Sequence, residues 1–252
     1  MTDHRIWTAA LVIIGDEILS GRTQDRNIAQ IATWLNVQGI RLSEVRVVPD
    51  VEERIVEAVN ALRARNDYLF TTGGIGPTHD DITVDAVAKA LGREVMIHPD
   101  ARAILERYYE TRGGLNEGRL RMARVPDGAE LIVNRVSGAP GIKVENLFLL
   151  AGVPHITAGM LDGLTGHLEG GRPLVSVTIG GMVPESEVAE LLRETERMNE
   201  GVAIGSYPFF REGKVGANFV VRSEDAEQAQ SVADLLAASL ESAGYPMVPG
   251  GI

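Results

Sequence analysis

Hydrophobic and polar positions follow two alternating periods in the first two thirds of the chain. Short continuous apolar runs are typical of buried parallel strands, and apolar residues spaced three and four apart are typical of one helix face. Strand-like runs occupy residues 9–14, 41–48 and 68–72, and helix-like stretches occupy residues 28–35, 55–62 and 84–91. This β-α-β-α-β-α order predicts an α/β fold, a three-layer doubly wound and mostly parallel sheet with helices on both faces. We expect the first helix to start near Thr23.

The alternation of strand-like and helix-like patterns continues to residue 164. It predicts a fourth strand over residues 93–98 and then a helix that starts at Pro99. The inner face of that helix is predicted to carry Ile104, Leu105 and Tyr108. A β-hairpin over residues 142–151 is predicted to turn at Glu145 and Asn146. The helix that follows the hairpin is predicted to turn Ile156 and Met160 inward.

A change of pattern near residue 170 predicts a second domain. Residues 163–173 contain four glycines and are the candidate linker. Residues 1–168 would form the larger domain. Residues 172–252 follow the order strand, helix, strand, strand, helix, with one more short strand near Met247. This order is typical of a split βαβ unit, so we expect a second, smaller α+β domain with a ferredoxin-like arrangement.

Composition narrows the functional classes. A net charge of −11 argues against a nucleic-acid or anionic-membrane partner for the chain as a whole, although local basic patches remain compatible with it. The chain has no cysteine, which excludes disulfides, thiolate metal sites and cysteine nucleophiles. No apolar run approaches 18 residues, and the N-terminus lacks a signal-peptide layout, so we expect a soluble cytoplasmic protein. The sequence also lacks a P-loop motif, G-x-G-x-x-G and G-x-S-x-G.

The stretch TTGGIGPTHDD, residues 71–81, is the candidate reaction centre. Its three glycines can expose main-chain N–H groups to a ligand. The helix after them, which Asp80 and Asp81 are predicted to open, offers an N-terminus that attracts anions such as phosphate. Asp80 and Asp81 would repel a phosphate unless a divalent cation lies between them. We therefore predict a phosphate with a metal ion here.

A simpler interpretation of this stretch stays open. Thr78 and Asp81 fit the S/T-x-x-D/E capping pattern, in which the carboxylate only satisfies backbone donors. The glycines would then form no more than a tight turn. Three glycines in four positions are more than a short βα turn needs, which favours the binding interpretation.

Other polar residues are predicted to meet this stretch at one sheet edge. In open α/β sheets ligands bind outside the carboxyl ends of the strands. Gly15, Asp16 and Glu17 follow the first strand, and Asp50 follows the second. Further along the chain, Asn116, Arg119, Arg121 and Arg124 form a local basic group. Their arginines are candidates for phosphate contacts, and a solvated helix face is an equally good interpretation.

Several motifs resemble the N-terminal domain family of competence/damage-inducible protein A (CinA). They are GDEILSGRTQDRN, TTGGIGPTHDDITVDAVAKALG, VPDGAELIVNRVSGAPG and AGVP. That family domain is similar to the MoaB/Mog-like molybdopterin-binding fold. The resemblance covers residues 9–164, and GGMVPESEVAELL with IGSYPFF resembles the small domain that follows. The chain ends before the amidase domain of full-length CinA, so the resemblance does not imply nicotinamide-nucleotide deamidation.

The resemblance implies a nucleotide or pterin phosphate site that works with Mg²⁺, Mn²⁺ or Co²⁺. It implies metal-dependent hydrolysis of ADP-ribose-like pyrophosphates, with a non-catalytic binding module and a molybdopterin adenylyltransferase as alternatives. It also implies homo-oligomerisation. The catalytic residues implied are Asp50, Asp80 and Asp81. The metal would be held by Asp16, Glu17, Asp80 and Asp81. The ligand would be bound by Gly15, Asp16, Glu17, Thr72, Gly73, Gly74, Gly76, Pro77, Asn116, Arg119 and Gly141.

Two departures from the family pattern bear on this site. The usual L-P-G-V-P is Leu150 to Pro154 with Ala151 in place of the first proline, which changes backbone stiffness near the ligand. The usual basic stretch after Asn116 is replaced by Glu117 and Gly118, which bears on substrate preference.

Overall fold

The computed structural model describes residues 5–211 and 213–252. The chain divides into two compact units, the first ending at Gly171 and the second beginning at Arg172. In chain order, the first unit contains β1 (Trp7–Ile14), α1 (Asp16–Leu19), α2 (Asn27–Val37), β2 (Ile40–Val48), α3 (Glu52–Arg63), β3 (Tyr68–Thr72), α4 (Thr83–Leu91), β4 (Val95–Ile97), α5 (Pro99–Tyr109), α6 (Glu117–Arg121), β5 (Arg124–Pro126), β6 (Glu130–Ile132), β7 (Gly141–Val144), β8 (Leu147–Leu150) and α7 (Pro154–Leu164).

Six of these strands form one sheet in the order β2-β1-β3-β8-β7-β6. The pairs β1–β2, β1–β3 and β3–β8 are parallel, whereas β7 is antiparallel to both of its neighbours. The hairpin of β7 and β8 turns at Glu145 and Asn146 as predicted, and Glu145 accepts a positive φ of 54° to make that turn.

Helices cover both faces of this sheet, which confirms the predicted three-layer architecture. Because successive side chains of a strand point to opposite faces, Val12 packs with α3 and α4, and Leu11 packs with α2 and α7. Along β3, Leu69 packs on the face of α3 and α4, and Phe70 packs on the face of α2 and α7. All four side chains are fully buried, so the sheet is the centre of the fold and its polar chemistry is confined to its edges.

Two helix starts differ from the predictions. Helix α2 begins at Asn27 rather than near Thr23, because a carboxylate oxygen of Asp25 accepts the N–H of Ile28 at 2.8 Å and stops the preceding turn. Helix α4 begins at Thr83, so Asp80 and Asp81 lie in the loop before the helix and do not open it.

Three smaller expectations are also corrected. Strand β4 does not join the main sheet, since its antiparallel partner β5 forms a separate two-stranded sheet with it. Ile104 is 37% exposed on α5, whereas Leu105 is buried as predicted. The candidate linker begins too early, because Gly163 belongs to α7 and packs against the backbone of Val133.

The second unit contains β9 (Val175–Gly181), α8 (Glu185–Met198), β10 (Ala203–Arg211), β11 (Lys214–Ser223), α9 (Ala226–Ser242) and β12 (Val248–Pro249). Its strands pair antiparallel in the order β10-β11-β9-β12. This is the predicted ferredoxin-like order, in which the first and third strands are central. Phe219 and Leu236 are fully buried between the sheet and its two helices. In the described part of the chain, no helix has the length and apolarity needed to cross a membrane.

Candidate functional site

The loops at the carboxyl edge of the main sheet surround a cavity of about 660 Å³. This volume lies in the range of small-molecule and cofactor sites. Nine of the residues predicted for the site line it: Gly15, Glu17, Asp50, Gly73, Gly74, Gly76, Pro77, Asp80 and Asp81. The other lining residues are Ile14, Thr23, Ile75, Thr78, Tyr109, Met122, Ser137, Ala139, Pro140, Ala151, Gly152, Val153, Pro154, Ile156 and Met160.

Strand order arranges these residues along the cavity. Asp50 follows β2 and Glu17 follows β1, so the carboxylates lie at one end. The glycine loop follows β3 in the middle. Gly152 follows β8, and Pro140 precedes the antiparallel β7 at the same edge. Neighbouring strands are about 4.8 Å apart, so the line from β2 to β7 spans about 19 Å. The cavity therefore passes from an acidic end, past exposed backbone, to an apolar end.

The glycine loop has its conformation because side chains would not fit there. Gly73 has a φ of 98°, and a Cβ there would overlap with the carbonyl oxygen of Ile14. Gly74 has a φ of 66°, and a Cβ there would overlap with the hydroxyl of Thr83. Thr83 in turn donates its hydroxyl to the carbonyl of Gly73 at 2.8 Å and its N–H to the carbonyl of Gly74 at 3.0 Å. These two glycines are thus required by the turn itself, and both line the cavity.

The carboxyl group of Asp50 has a raised pKa in the site. Burial, followed by the negative charges of Asp16, Glu17 and Asp80, raises the pKa of its carboxyl group. The N–H of Asp16 donates to Asp50 Oδ2 at 2.9 Å and partly offsets this rise. A carboxylate with a raised pKa in a cleft is a candidate for proton transfer or for binding a cation.

Asp80 and Asp81 have different surroundings although they are neighbours. Asp81 Oδ2 accepts the N–H of Thr78 at 2.7 Å and also the hydroxyl of Thr78. The S/T-x-x-D pattern is therefore formed, but inside the loop and not at the cap of α4. Asp80 is exposed, and hydrogen bonding by Thr78 lowers the pKa of its carboxyl group. Asp81 thus holds the loop, and Asp80 stays ionised and open to the cavity.

The donor chemistry of the acidic end suits a hard cation, but its preformed geometry is incomplete. Carboxylate oxygens are the ligands that Mg²⁺ and Mn²⁺ prefer. Within residues 5–211 and 213–252, no group of three or more His, Cys, Asp or Glu side chains is arranged to hold a metal ion. The predicted metal set of Asp16, Glu17, Asp80 and Asp81 therefore does not form a closed cage, and Asp16 does not line the cavity.

Asn116 and Arg119 are engaged with the protein rather than with the cavity. Asn116 Oδ1 accepts the N–H of Arg119 at 2.8 Å and caps α6. The guanidinium of Arg119 lies 4.2 Å from the ring centroid of Tyr109 and donates to the carbonyl of Gly114. Arg119 thus supports a cavity wall from behind, through Tyr109.

The other two arginines of the basic group support the loop region. Arg121 donates to the carbonyl of Asp81 at 3.2 Å, and Arg124 pairs with both carboxylate oxygens of Asp85 on α4. Both side chains therefore have protein partners, so a fully solvated face does not describe them. The remaining predicted residues, Thr72 and Gly141, lie within strands β3 and β7 and do not line the cavity.

The apolar end of the cavity was not predicted as part of the site. Tyr109, Met122 and Pro140 line it together with Ile156 and Met160, which were predicted only to point inward. A mixed apolar wall with one aromatic ring is typical of pockets for flat heterocyclic ligands.

Two polar residues fix the loop after β8 and were also missed. Asn27 is 3% exposed and donates its side-chain amide to the carbonyl of Gly152 at 2.8 Å. Thr157 donates its hydroxyl to the carbonyl of Ala151 at 2.6 Å. Asn27 is the last residue of the motif GDEILSGRTQDRN and the first residue of α2. A polar residue in that position is the feature of the sequence that could have indicated its role.

Comparisons with known proteins agree with this architecture. The family described as probable molybdopterin binding domain matches residues 10–169, and the family described as FAD synthase, middle domain, matches residues 173–246. A protein of Aeropyrum pernix is 38% identical over 247 residues, which are 92% of this chain and 91% of that protein. A CinA-like protein of Citrifermentans bemidjiense is 38% identical over 193 residues, 73% of this chain and 46% of that protein.

A solved structure shows the same relationship. The crystal structure of the protein CinA with unknown function from Thermoplasma acidophilum matches with a TM-score of 0.59 and 33% identity, over 63% of this chain and 96% of that one. The match of the probable molybdopterin binding domain covers more than half of this chain. The chain therefore belongs to that family, and it is a CinA-family protein with a MoaB/Mog-like domain.

Proposed function

We propose that the first unit is a metal-dependent hydrolase of nucleotide pyrophosphates of the ADP-ribose type. One observation carries this proposal: a single cavity joins a cluster of carboxylates, a bare glycine loop and an apolar wall in a line of about 19 Å. A nucleotide pyrophosphate has the same sequence of parts, since charged phosphates lie between a sugar and a flat base.

The charge of the cavity explains why a cation is needed. Glu17, Asp50, Asp80 and Asp81 line it, and among the described lining residues there is no Lys or Arg. Phosphates would be repelled here unless a cation came with them. Mg²⁺ commonly binds through one or two carboxylates and the substrate phosphates rather than in an all-protein cage. The open arrangement of Glu17 and Asp80 fits that mode of binding and leaves Asp50 free of the cation.

In the proposed hydrolysis, each group of residues would have a separate role. A bound divalent cation would supply charge neutralisation at the phosphates. The N–H of Gly73 is donated to the carbonyl of Leu150 at 3.2 Å, so the backbone N–H groups of Gly74, Ile75 and Gly76 would hold the phosphate oxygens. Asp50, with its raised pKa, would take the proton of the attacking water. Water would add to one phosphorus, the bridging P–O bond would break, and two phosphate monoesters would leave.

A binding module is the second candidate function. It is favoured by Asp81, which the hydrogen bonds from Thr78 engage in the loop, and by the incomplete metal cage. In this case the cavity would hold a molybdopterin or nucleotide without turnover. A molybdopterin adenylyltransferase is a third candidate, and it would consume ATP only when the pterin is present.

The test is phosphate release, coupled to a phosphatase, from ADP-ribose, FAD and ATP. Each substrate is offered with Mg²⁺, Mn²⁺ or Co²⁺, and again with a chelator. We expect turnover of ADP-ribose that the chelator abolishes and that Asp50→Asn lowers at least about 100-fold. Asp162→Asn, an exposed carboxylate on α7, is the charge-matched control and should leave turnover unchanged. Tight ligand binding without turnover under any metal would overturn the hydrolase in favour of the binding module.

A further inference from the structure

Charge is divided between the two sides of the second unit. Strands β9 to β12 contain no acidic residue among those described, and they carry Arg211, Lys214 and Arg222. Helix α8 contains five glutamates, and α9 contains three acidic residues. The helices pack on one face of the sheet through Phe219 and Val221. The excess negative charge of this unit therefore belongs to its helical side.

The opposite face of the sheet carries aromatic and basic side chains together. In β11, Ala217, Phe219 and Val221 are buried towards the helices, so the alternate positions face the other way. The register pairs Tyr207 with Asn218 and Phe209 with Gly216, and it pairs Arg211 with Lys214. Paired residues share a face, so these six positions and Arg222 define one surface, which we call the open sheet face. Its Asn218 position is covered by the backbone of Ile252, which donates to Asn218 Oδ1 at 2.9 Å and accepts from Asn218 Nδ2 at 3.2 Å.

Both aromatic rings cover glycines of this surface. A Cβ at Gly216 would overlap with the ring of Phe209, and a Cβ at Gly205 would lie 2.9 Å from Cε2 of Tyr207. The rings thus occupy space that the two glycines leave free. Tyr207 is 47% exposed, and the guanidinium of Arg222 lies 5.7 Å from its ring centroid and donates to its hydroxyl.

The positions of Tyr207 and Phe209 on β10 determine how a ligand could stack on their rings. Tyr207 and Phe209 are two residues apart on one strand, which places their Cα atoms about 6.8 Å apart. The Tyr207 ring reaches over Gly205 and the Phe209 ring over Gly216, so each ring can stack one base of an extended single strand. Arg211 and Lys214 lie at one end of this row and Arg222 at the other, where they can meet backbone phosphates.

We propose that the open sheet face of the second unit binds single-stranded nucleic acid. Flat aromatic rings on an antiparallel four-stranded sheet stack bases without requiring a particular sequence, and the basic residues neutralise the backbone. The net charge of −11 predicts no nucleic-acid partner for the chain as a whole. The strands of the second unit depart from that average, because eight acidic residues lie on its two helices and none lies among the described strand residues. A second copy of the same face is disfavoured as an occupant, because it would bring like charges together.

The test is fluorescence anisotropy of labelled dT12 and U12 with the full chain between 50 and 300 mM salt. We expect binding to both, with log K falling against log salt with a slope of about −2, as three neutralised phosphates predict. Tyr207→Ala and Phe209→Ala should each weaken binding about tenfold. Arg211→Gln with Lys214→Gln should reduce the slope to about −1.

Phe210→Ala is the matched control. Phe210 follows Phe209 on β10, is 74% exposed, and points to the opposite face by register. It should leave binding unchanged. Absence of binding to both oligonucleotides at 50 mM salt would overturn the proposal. Equal losses in Phe210→Ala and Phe209→Ala, with unchanged circular dichroism, would do the same, as would equal affinity for a 12-base-pair duplex.

Discussion

Asp50 accepts a hydrogen bond from the backbone N–H of Asp16 at 2.9 Å. This bond joins the loop after β2 to the start of α1, which follows the neighbouring strand β1. It also brings the carboxylate of Asp50 under the influence of Asp16, Glu17 and Asp80, whose charges add to the effect of burial and raise the pKa of Asp50. This hydrogen bond thus holds the loop after β2 beside the start of α1, although the carboxylates at this end of the cavity repel one another.

The first prediction is that Asp50→Asn stabilises the protein at pH 7 and removes turnover. Asparagine keeps an oxygen that can accept the N–H of Asp16, and it removes a charge that the fold disfavours. We expect a rise of about 1–2 °C in Tm, measured by differential scanning calorimetry at low ionic strength. Functional sites commonly exchange stability for activity in this way.

The pH dependence of this difference follows from the sign of the shift. The pKa of Asp50 is raised above its ordinary value of 3.8, so the folded protein holds a proton that the unfolded chain has lost. The destabilisation by Asp50 is therefore absent below about pH 3.8, grows as the pH rises to the folded-state pKa, and is constant above it. A Tm difference between the two proteins that persisted unchanged at pH 3.5 would contradict this account.

The second prediction separates Asp80 from Asp81. Asp81→Ala removes the acceptor of the Thr78 N–H and hydroxyl, so it should cost about 1 kcal/mol of stability, as loss of a capping side chain does. Asp80→Asn changes an exposed carboxylate and should lower the unfolding midpoint in urea less than Asp81→Ala does, while lowering metal-dependent turnover. Equal stability losses in the two variants would show that Asp80 also holds the loop.

The third prediction concerns the glycine loop. Gly73→Ala places a methyl group against the carbonyl oxygen of Ile14 and also requires alanine at a φ of 98°. Gly21→Ala meets only the conformational cost, since Gly21 has a φ of 73° with no atom within 4 Å of its Cβ position. We expect Gly21→Ala to cost about 1 kcal/mol and Gly73→Ala to cost at least about 2 kcal/mol more, by urea denaturation.

The outcome of this comparison also tests the interpretation of the loop. A Gly73→Ala protein that is folded but binds no nucleotide would show that the backbone of this loop contacts the phosphates. Equal effects of Gly73→Ala and Gly21→Ala would mean that the loop moves away from Ile14 without cost, and the argument for a fixed anion cradle would be wrong.

The sequence predicts the acidic end of the site well, because this part depends on strand order alone. Parallel strands deliver their carboxyl ends to the same edge, so Asp50, Glu17 and the glycine loop had to meet once the strands were recognised. Each of these residues immediately follows a strand. No knowledge of long-range packing was needed to bring them together.

The apolar end depends on packing between distant segments, so strand order alone could not predict it. Tyr109 and Met122 reach the cavity because α5 and α6 pack together beside the glycine loop. Sequence also cannot tell whether an arginine has a protein partner. Arg119 is covered by its stacking on Tyr109, and Arg124 by its pair with Asp85, so both differ from the phosphate ligands that their clustering suggested.

The last prediction concerns recognition of the base at the apolar end. Tyr109 lines the cavity, and Arg119 holds its ring from behind at 4.2 Å. Tyr109→Leu should remove stacking with a flat heterocycle and weaken binding of ADP-ribose about tenfold. In the proposed hydrolase this contact would be made equally in the ground state and the transition state, so KM should rise while kcat stays nearly constant. Isothermal titration calorimetry measures the same loss if turnover is absent.

Tyr108 provides the control for this experiment because it is the neighbouring tyrosine. Its ring contacts Tyr109 edge-on, with centroids 5.0 Å apart, and is stacked by Arg112, but it does not line the cavity. Tyr108→Leu should therefore leave nucleotide affinity within about twofold of the unsubstituted protein, although it loses a ring that packs on Gly138. Ribose 5-phosphate, which has no base, should bind the Tyr109→Leu and unsubstituted proteins equally. A loss of ribose 5-phosphate binding in Tyr109→Leu would place the sugar or phosphate, and not the base, at the apolar end.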